Sequence, residues 1–536
     1  MRLYAAFDKS NLPDGFWAKW RYIWALKLQM PYCNGDSAHT DLTEVDRLVE
    51  KIFEVYLTGA IFERGTVPGS EREFLARLGL AFGTREPDLL GFPEQIRSWA
   101  VDRLQPFNDS YFQPQFGMTL EEIFRWVDSL IDFLETRVEE PGQKLNIFTP
   151  QQLALGFPEE SIQKIVKLLS VTPGVAGQQY VFPHDSNPLE YRNFASLPQD
   201  EFFFLDPSSA YRIVAKAFEK AILEQSALRD RYLKNRDAAT ERRVADSLRK
   251  SFPNAEFYKN YYPEKGQFEK DLLLRDEGAV LIVECKNAKI RGFKGTADDL
   301  VKFDRDFENS VQYCYDQAND VKQRILSSNE EVTFYDKKGR EYFSLKKSEI
   351  KQIFILCVTL TPRGPFGTDL SLQLEKATSE LFPLAVSMFD LETMCQHFSG
   401  KQFLEYLAAR SNLHGRVHTG DELNFAGYFL KYGHLKVKDG THLADDFSSI
   451  FDRRWHREKG IDIPEPPNSP VEIGITRRGS RIVVDKSYEQ TETIQIAPEI
   501  YQHITDHPMI KMKGADRNKP CPCGSGRKLK RCHGAA

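Results

Sequence analysis

Residues 279–289 read AVLIVECKNAK, five apolar residues running straight into Glu284, Cys285 and Lys286. Side chains alternate between the faces of a strand, so Glu284 and Lys286 share one face where the buried run stops. Asp271 lies upstream in EKDLLLRDEGAV, and RDEG is a turn signal in which Gly278 can adopt positive φ. A turn at Asp276–Gly278 brings Asp271 opposite Glu284 within about one residue, and cross-strand neighbours lie roughly 5 Å apart. Two carboxylates at that separation repel unless a cation or a proton sits between them. Mg²⁺ (or Mn²⁺) suits such an all-oxygen site, taking one or two carboxylates plus waters and a substrate phosphate. A metal there would orient and acidify water and stabilise charge on a phosphoryl oxygen. Lys286 could position or deprotonate that water, or neutralise charge at phosphorus. The backbone carbonyl of Cys285 is a further candidate ligand.

A second constellation closes the chain. CPCGSGRKLKRCHG places Cys521, Cys523, Cys532 and His533 as C-x-C-x8-C-H. Three thiolates and an imidazole form a closed tetrahedral Zn²⁺ shell, which is structural rather than catalytic. So short a module cannot build a core, so the metal must supply its folding free energy. The other five cysteines (33, 285, 314, 357 and 395) stand singly and read as reduced, mostly buried thiols.

The elements that must position these residues follow from pattern. Residues 1–205 read as mainly helical, with periodic apolar spacing in DLTEVDRLVEKIFEVYLTGAIFERG and TLEEIFRWVDSLIDFLETRVEE. Trp17, Trp20 and Trp24 form an aromatic stripe that reads as a packed helix face, and no catalytic motif occurs in this region. A charged helix is expected from about 208 to 251. Strands EFYKNYYP, FEKDLLL and AVLIVECKN come next, then a basic loop, the helix FENSVQYCYDQANDVKQRIL and a hairpin. The strand IKQIFILCVTLT and the strand-plus-helix PLAVSMFDLETMCQHF complete an α/β core with a mixed sheet over 206–415. Residues 416–460 read as a helical extension, and 461–510 as a Pro-rich linker followed by a hairpin carrying Arg477, Arg478 and Arg481. The zinc module occupies 511–536.

The 536 residues carry a net charge of −5, so any nucleic-acid binding must come from local patches. From Arg229 to Lys250 eight basic residues face four acids. Arg242 and Arg243 there, and Lys289, Arg291 and Lys294 after the motif strand, are candidate phosphate contacts. A solvated helix face with i,i+4 pairs accounts for the 229–250 run equally well. No apolar run reaches the roughly 18 residues of a membrane span, and the start has no signal-peptide core, so a cytoplasmic location is the expectation.

The carboxylate constellation resembles the PD-(D/E)XK nuclease superfamily: an acid at the start of one strand, (D/E)-x-K on the next, and a Glu on the preceding helix. The matching positions are Asp271, Glu284-Cys285-Lys286 and Glu241 in TERRVADSLRKSF. The resemblance gives Glu241 a part in holding the metal site. It also implies a Gln on the following helix, Gln317 in YDQAND or Gln312 in SVQYCYD, with Gln317 preferred. Lys270 stands where the family usually has Pro. The resemblance implies a metal-dependent phosphodiesterase, with DNA favoured over RNA and a role in restriction or antiphage defence.

The tail resembles the SEC-C motif, the zinc-binding end of the bacterial preprotein translocase ATPase, where it docks partners. These residues contain no G-x-x-x-x-G-K-[ST] phosphate loop, so the motor itself is not expected here. A protein partner is therefore expected through this tail or the helical N-terminal region. The competing expectation is a non-catalytic adaptor whose nuclease-like core only holds nucleic acid or protein.

Overall fold

The computed structural model describes residues 91–137, 147–172, 191–205, 209–288, 299–437, 441–443, 447–463, 473–478 and 481–486. The Trp stripe at 17–24 and the zinc module at 511–536 lie outside them.

The first unit is helical, with a small sheet that the sequence reading missed. α1 (Pro93–Leu104) begins with Pro at its first position, where a missing N–H costs nothing. α2 (Leu120–Arg137) starts at a Thr-x-x-Glu box: the Thr119 hydroxyl accepts the Glu122 amide at 3.2 Å, and Glu122 accepts the Thr119 amide at 2.7 Å. α3 (Glu159–Leu168) follows. Four strands of two or three residues each, between Ile147 and Phe204, form one sheet. Strands this short carry too few residues to show a period, which is why the sequence reads as mainly helical.

The single helix expected over 208–251 is two, α4 (Ala210–Glu224) and α5 (Ser226–Ser251), broken at Gln225 with its ψ extended to 108°. α4 buries Val214, Phe218 and Ile222 with Phe107, Phe112 and Trp126 in the core of the first unit. The break lets α5 leave that unit and cover the sheet of the second.

That sheet contains β1 (Glu256–Tyr261), β2 (Lys270–Asp276) and β3 (Ala279–Lys286) as an antiparallel meander. The β2–β3 turn is Glu277-Gly278, with φ of 41° and 92°. Positive φ at both central residues matches the right-handed twist of the flanking strands. A Cβ on Gly278 would also stand 3.1 Å from the Glu349 carbonyl oxygen. After β3 come α6 (Asp299–Phe307), a π-helical turn (Glu308–Gln312) and α7 (Tyr313–Ser327). A separate hairpin, β4 (Glu331–Tyr335) and β5 (Glu341–Lys346), precedes β6 (Gln352–Thr359). β6 lies parallel to β3, and β7 (Leu384–Ser387) parallel to β6, giving the mixed order β7-β6-β3-β2-β1.

Both faces of this sheet are covered, which explains the unbroken apolar run of β3. Leu281, Val283 and Cys285 pack with α5 and α8 (Met388–His397). Val280 and Ile282 pack with α6 and α7 on the other side. The helices that follow, the last two of them in the stretch read as a helical extension, close the first of these cores. α9 (Gly400–Arg410), α10 (Glu422–Tyr432) and α11 (Ser449–Glu458) contribute Phe403, Phe425, Phe429 and Phe451 to it. Gly427 in α10 has no room for a side chain, since a Cβ would meet the Phe447 carbonyl oxygen at 2.1 Å. Trp455 of α11 stacks on Phe92 and donates to Glu94 at 3.0 Å, returning the chain to α1. The hairpin expected after the linker pairs Ile473–Arg478 with Arg481–Lys486. Among the described residues no helix is long and apolar enough to cross a membrane.

Candidate active site

β2 and β3 pair with Leu272 opposite Val283, so Asp271 and Glu284 occupy the next position of each strand. The Asp271 carboxylate accepts the backbone N–H of Cys285 at 2.7 Å through Oδ2. Glu284 is fully buried, and neither of its carboxylate oxygens meets hydrogen-bond geometry with a partner, although the backbone N–H of Asp271 favours its charged form. Its nearest counter-charge is Lys286, whose Nζ lies 3.8 Å from Oε2, too far for a hydrogen bond. The hairpin therefore delivers two carboxylates and a lysine to one spot.

Glu241 reaches the site from α5, and the helix is tied to the end of β3 by Asn287. That side chain donates to Asp237 at 2.8 Å and accepts from the Thr240 hydroxyl at 3.1 Å. Lys270 has a positioning role: its ammonium donates to the Gln317 carbonyl at 2.9 Å, pinning the start of β2 to α7. The side-chain oxygen of Gln317 is buried without a partner. Gln312, by contrast, is committed to Asp316 and to both the amide and the carbonyl of Glu375, each at 2.9 Å.

The electrostatics are those of crowded acids. Burial, with Asp271 close by and Lys286 opposing, pushes the Glu284 carboxyl up to about 8. Burial and then Asp271, Glu269 and Asp237 push Glu241 up to about 7. Burial also raises Asp271, although Lys286 and the Cys285 amide work the other way. Lys286 is disfavoured as a cation by burial, yet Asp271 and its neighbours outweigh that and hold it above its ordinary value. It is an ammonium here, which favours a charge-donating role over proton abstraction.

These residues fit a divalent cation. The fully buried, unpartnered oxygens of Glu284 are what a hard ion would satisfy, and Asp271 keeps one oxygen clear of the Cys285 bond. Among the described residues no three His, Cys, Asp or Glu side chains converge as a metal cage. The set is two carboxylates, which for Mg²⁺ leaves positions to backbone, water and substrate phosphate. The Cys285 group engaged with a carboxylate is its amide.

Of the candidate phosphate contacts, Lys289, Arg291 and Lys294 lie outside the described residues. Arg242 is exposed on α5 beside Glu241. Arg243 is a correction. It is buried, donating to Glu392 at 2.8 Å, Asp102 at 3.1 Å and Ser98 at 3.0 Å, so it staples α1, α5 and α8 and has no fork left for a phosphate. One position in a helical run decided its face, which a count of charges along the sequence does not see. The zinc ligands Cys521, Cys523, Cys532 and His533 lie outside the described residues. Cys285, Cys314, Cys357 and Cys395 are free and buried, as expected of single thiols.

Two neighbours escaped the sequence reading. Tyr313, at the start of α7, has the Lys286 ammonium 5.2 Å from its ring centroid. Arg363, in the loop after β6, donates to the Ala288 carbonyl at 2.9 Å, while its buried Nε and Nη1 have no partner. Burial lowers that guanidinium to about 10. No local motif marks either residue; their positions depend on α7 crossing the sheet and on β6 lying parallel to β3.

Comparison with known proteins bears on the tail first. Residues 517–535 match the SEC-C motif family. That segment contains all four predicted zinc ligands. The chain is also similar to the protein translocase subunit SecA of Borreliella burgdorferi, in strains B31 and ZS7. Each is 23% identical over 281 residues, covering 47% of this chain and 28% of the translocase subunit. The chain thus spans less than a third of the length of these curated relatives. No solved structure matches.

Proposed function

We propose that the chain is a metal-dependent nuclease of the PD-(D/E)XK type, hydrolysing phosphodiester bonds. The observation that carries this reading is Glu284, a fully buried carboxylate with both oxygens unpartnered, beside Asp271 and within 3.8 Å of the Lys286 ammonium. A buried, unsatisfied acid is costly and is retained where a function uses it. The order of elements supports it: Glu241 on the helix before the meander, Asp271 at the start of β2, Glu284 and Lys286 at the end of β3, Gln317 on the next helix.

Asp271 and Glu284 would hold the ion, with Glu241 beside them. The chemistry a bound divalent ion supplies is acidification of water and stabilisation of charge on a phosphoryl oxygen. Lys286 brings an ammonium to the phosphate, and Gln317 offers its buried side-chain oxygen as an acceptor. DNA as substrate and a defence role follow from the family resemblance. In this reading the SEC-C tail holds zinc and docks a partner.

A second reading is a docking adaptor, favoured by the SEC-C match and by the similarity to a protein translocase subunit. Incubating the purified chain with plasmid DNA, linear DNA and RNA, in Mg²⁺ or Mn²⁺ against EDTA, separates the two. Metal-dependent cleavage supports the nuclease. Binding without cleavage in every condition supports the adaptor.

A further inference from the structure

Two exposed aromatic residues belong to the chain segments that carry the site. Tyr313 is 49% exposed and Phe268 is 83% exposed. Phe268 lies three residues before Asp271, within about 10 Å along an extended chain. Tyr313 lies one helical turn before Gln317, roughly 6 Å along the axis. The Lys270 ammonium on the Gln317 carbonyl, at 2.9 Å, ties these two segments together. Both residues therefore sit on segments that are joined at the site, one on the approach to β2 and one on the first turn of α7.

Tyr313 is held outward by two independent features. The π-helical turn Glu308–Gln312 comes immediately before it and inserts a residue into the helical phase. The next two residues, Cys314 and Tyr315, are buried against the sheet, which leaves Tyr313 on the open side. The Lys286 ammonium near its ring steadies it by cation–π attraction.

We infer that Tyr313 and Phe268 form a base-stacking platform, so the strand bound at the carboxylate site is unpaired: a single strand, an overhang or a splayed end. The inference rests on the nuclease reading for the phosphate, but the platform itself is a binding feature. Every nucleobase has a π-face, so stacking on aromatic rings is tolerant of sequence. In a duplex those faces are covered by neighbouring bases, and only an unpaired or extruded nucleotide can offer one. A base stacked on Tyr313 brings its phosphate to the Lys286 ammonium.

The test uses the full chain and oligonucleotides carrying 2-aminopurine, with Ca²⁺ in place of Mg²⁺, read by fluorescence quenching and anisotropy. The single strand should bind more tightly than the duplex and be quenched. Tyr313→Ala should lose the quenching and weaken single-strand binding about 5- to 100-fold, with Phe268→Ala adding to the loss. Tyr313→Phe, which keeps the ring, should restore both. Equal binding of single strand and duplex, or single-strand binding unchanged in Tyr313→Ala, overturns the platform. If wild type cleaves in Mg²⁺ while the platform test fails, the nuclease reading stands alone. If quenching follows Tyr313 and nothing is cleaved, the platform stands and the nuclease reading falls.

Discussion

The Asp271 carboxylate accepts the Cys285 amide at 2.7 Å, so the acid of one strand is fixed against the backbone of the strand that carries the other acid. The bond fixes the register of the hairpin at its open end. Asp271→Asn keeps an oxygen acceptor for that amide and removes the charge. The variant should fold with a melting temperature equal to or above wild type, and should lose Mg²⁺-dependent cleavage by at least about 100-fold.

The raised acids predict an inverted pH dependence for the metal-free protein. Glu284 moves from 4.5 to about 8 and Glu241 from 4.5 to about 7 on folding. Between those limits the folded chain binds more protons than the unfolded one, so stability falls as pH rises. It is fully present below about 4.5 and fully lost above about 8, at up to about 1.4 kcal/mol per pH unit for each group. Thermal melts in EDTA at pH 6, 7 and 8 check the slope. Mg²⁺ should raise the melting temperature more at pH 8 than at pH 6, and Glu284→Gln should flatten the profile.

Arg242 and Arg243 are adjacent in sequence and should behave oppositely. Arg243→Ala leaves Glu392 buried without its partner, and should cost about 3–5 kcal/mol in denaturant unfolding. Arg242→Ala, on the exposed face, should stay within about 0.5 kcal/mol. A stable Arg243→Ala protein with weakened nucleic-acid binding would restore Arg243 as a phosphate contact.

The tail should bind about one zinc per chain through Cys521, Cys523, Cys532 and His533. Elemental analysis of the purified protein checks the stoichiometry. A chain ending before residue 515 should lose the metal while the unfolding of the sheet core is unchanged. Zinc retained by that truncation would place the site elsewhere.

The motif hairpin was legible in the sequence because its evidence is local. A continuous apolar run, a two-residue turn and an acid at each strand's open end lie within sixteen residues of one another, from Asp271 to Lys286. Glu241 was placed by resemblance, and its helix is tied to the end of β3 through Asn287 on Asp237 and Thr240, contacts that no spacing announces. What escaped depends on tertiary arrangement. Arg243 looked like a free cation until α1 and α8 closed on it. Tyr313 lies in a run expected to form one helix, and the π turn just before it changes the helical phase. The break at Gln225 sends α4 and α5 to different cores, and a charged helical pattern continues across it unmarked.

The central claim is that Glu284 and Lys286 form the cleaving wall of the site. The most direct test is nuclease activity of Glu284→Ala and Lys286→Ala on plasmid DNA and on single-stranded oligonucleotides, in Mg²⁺ and in EDTA, with circular dichroism confirming the fold. The account predicts Mg²⁺-dependent cleavage by wild type, and its loss in both variants with the fold intact. Cleavage that persists in folded Glu284→Ala or Lys286→Ala protein would contradict it.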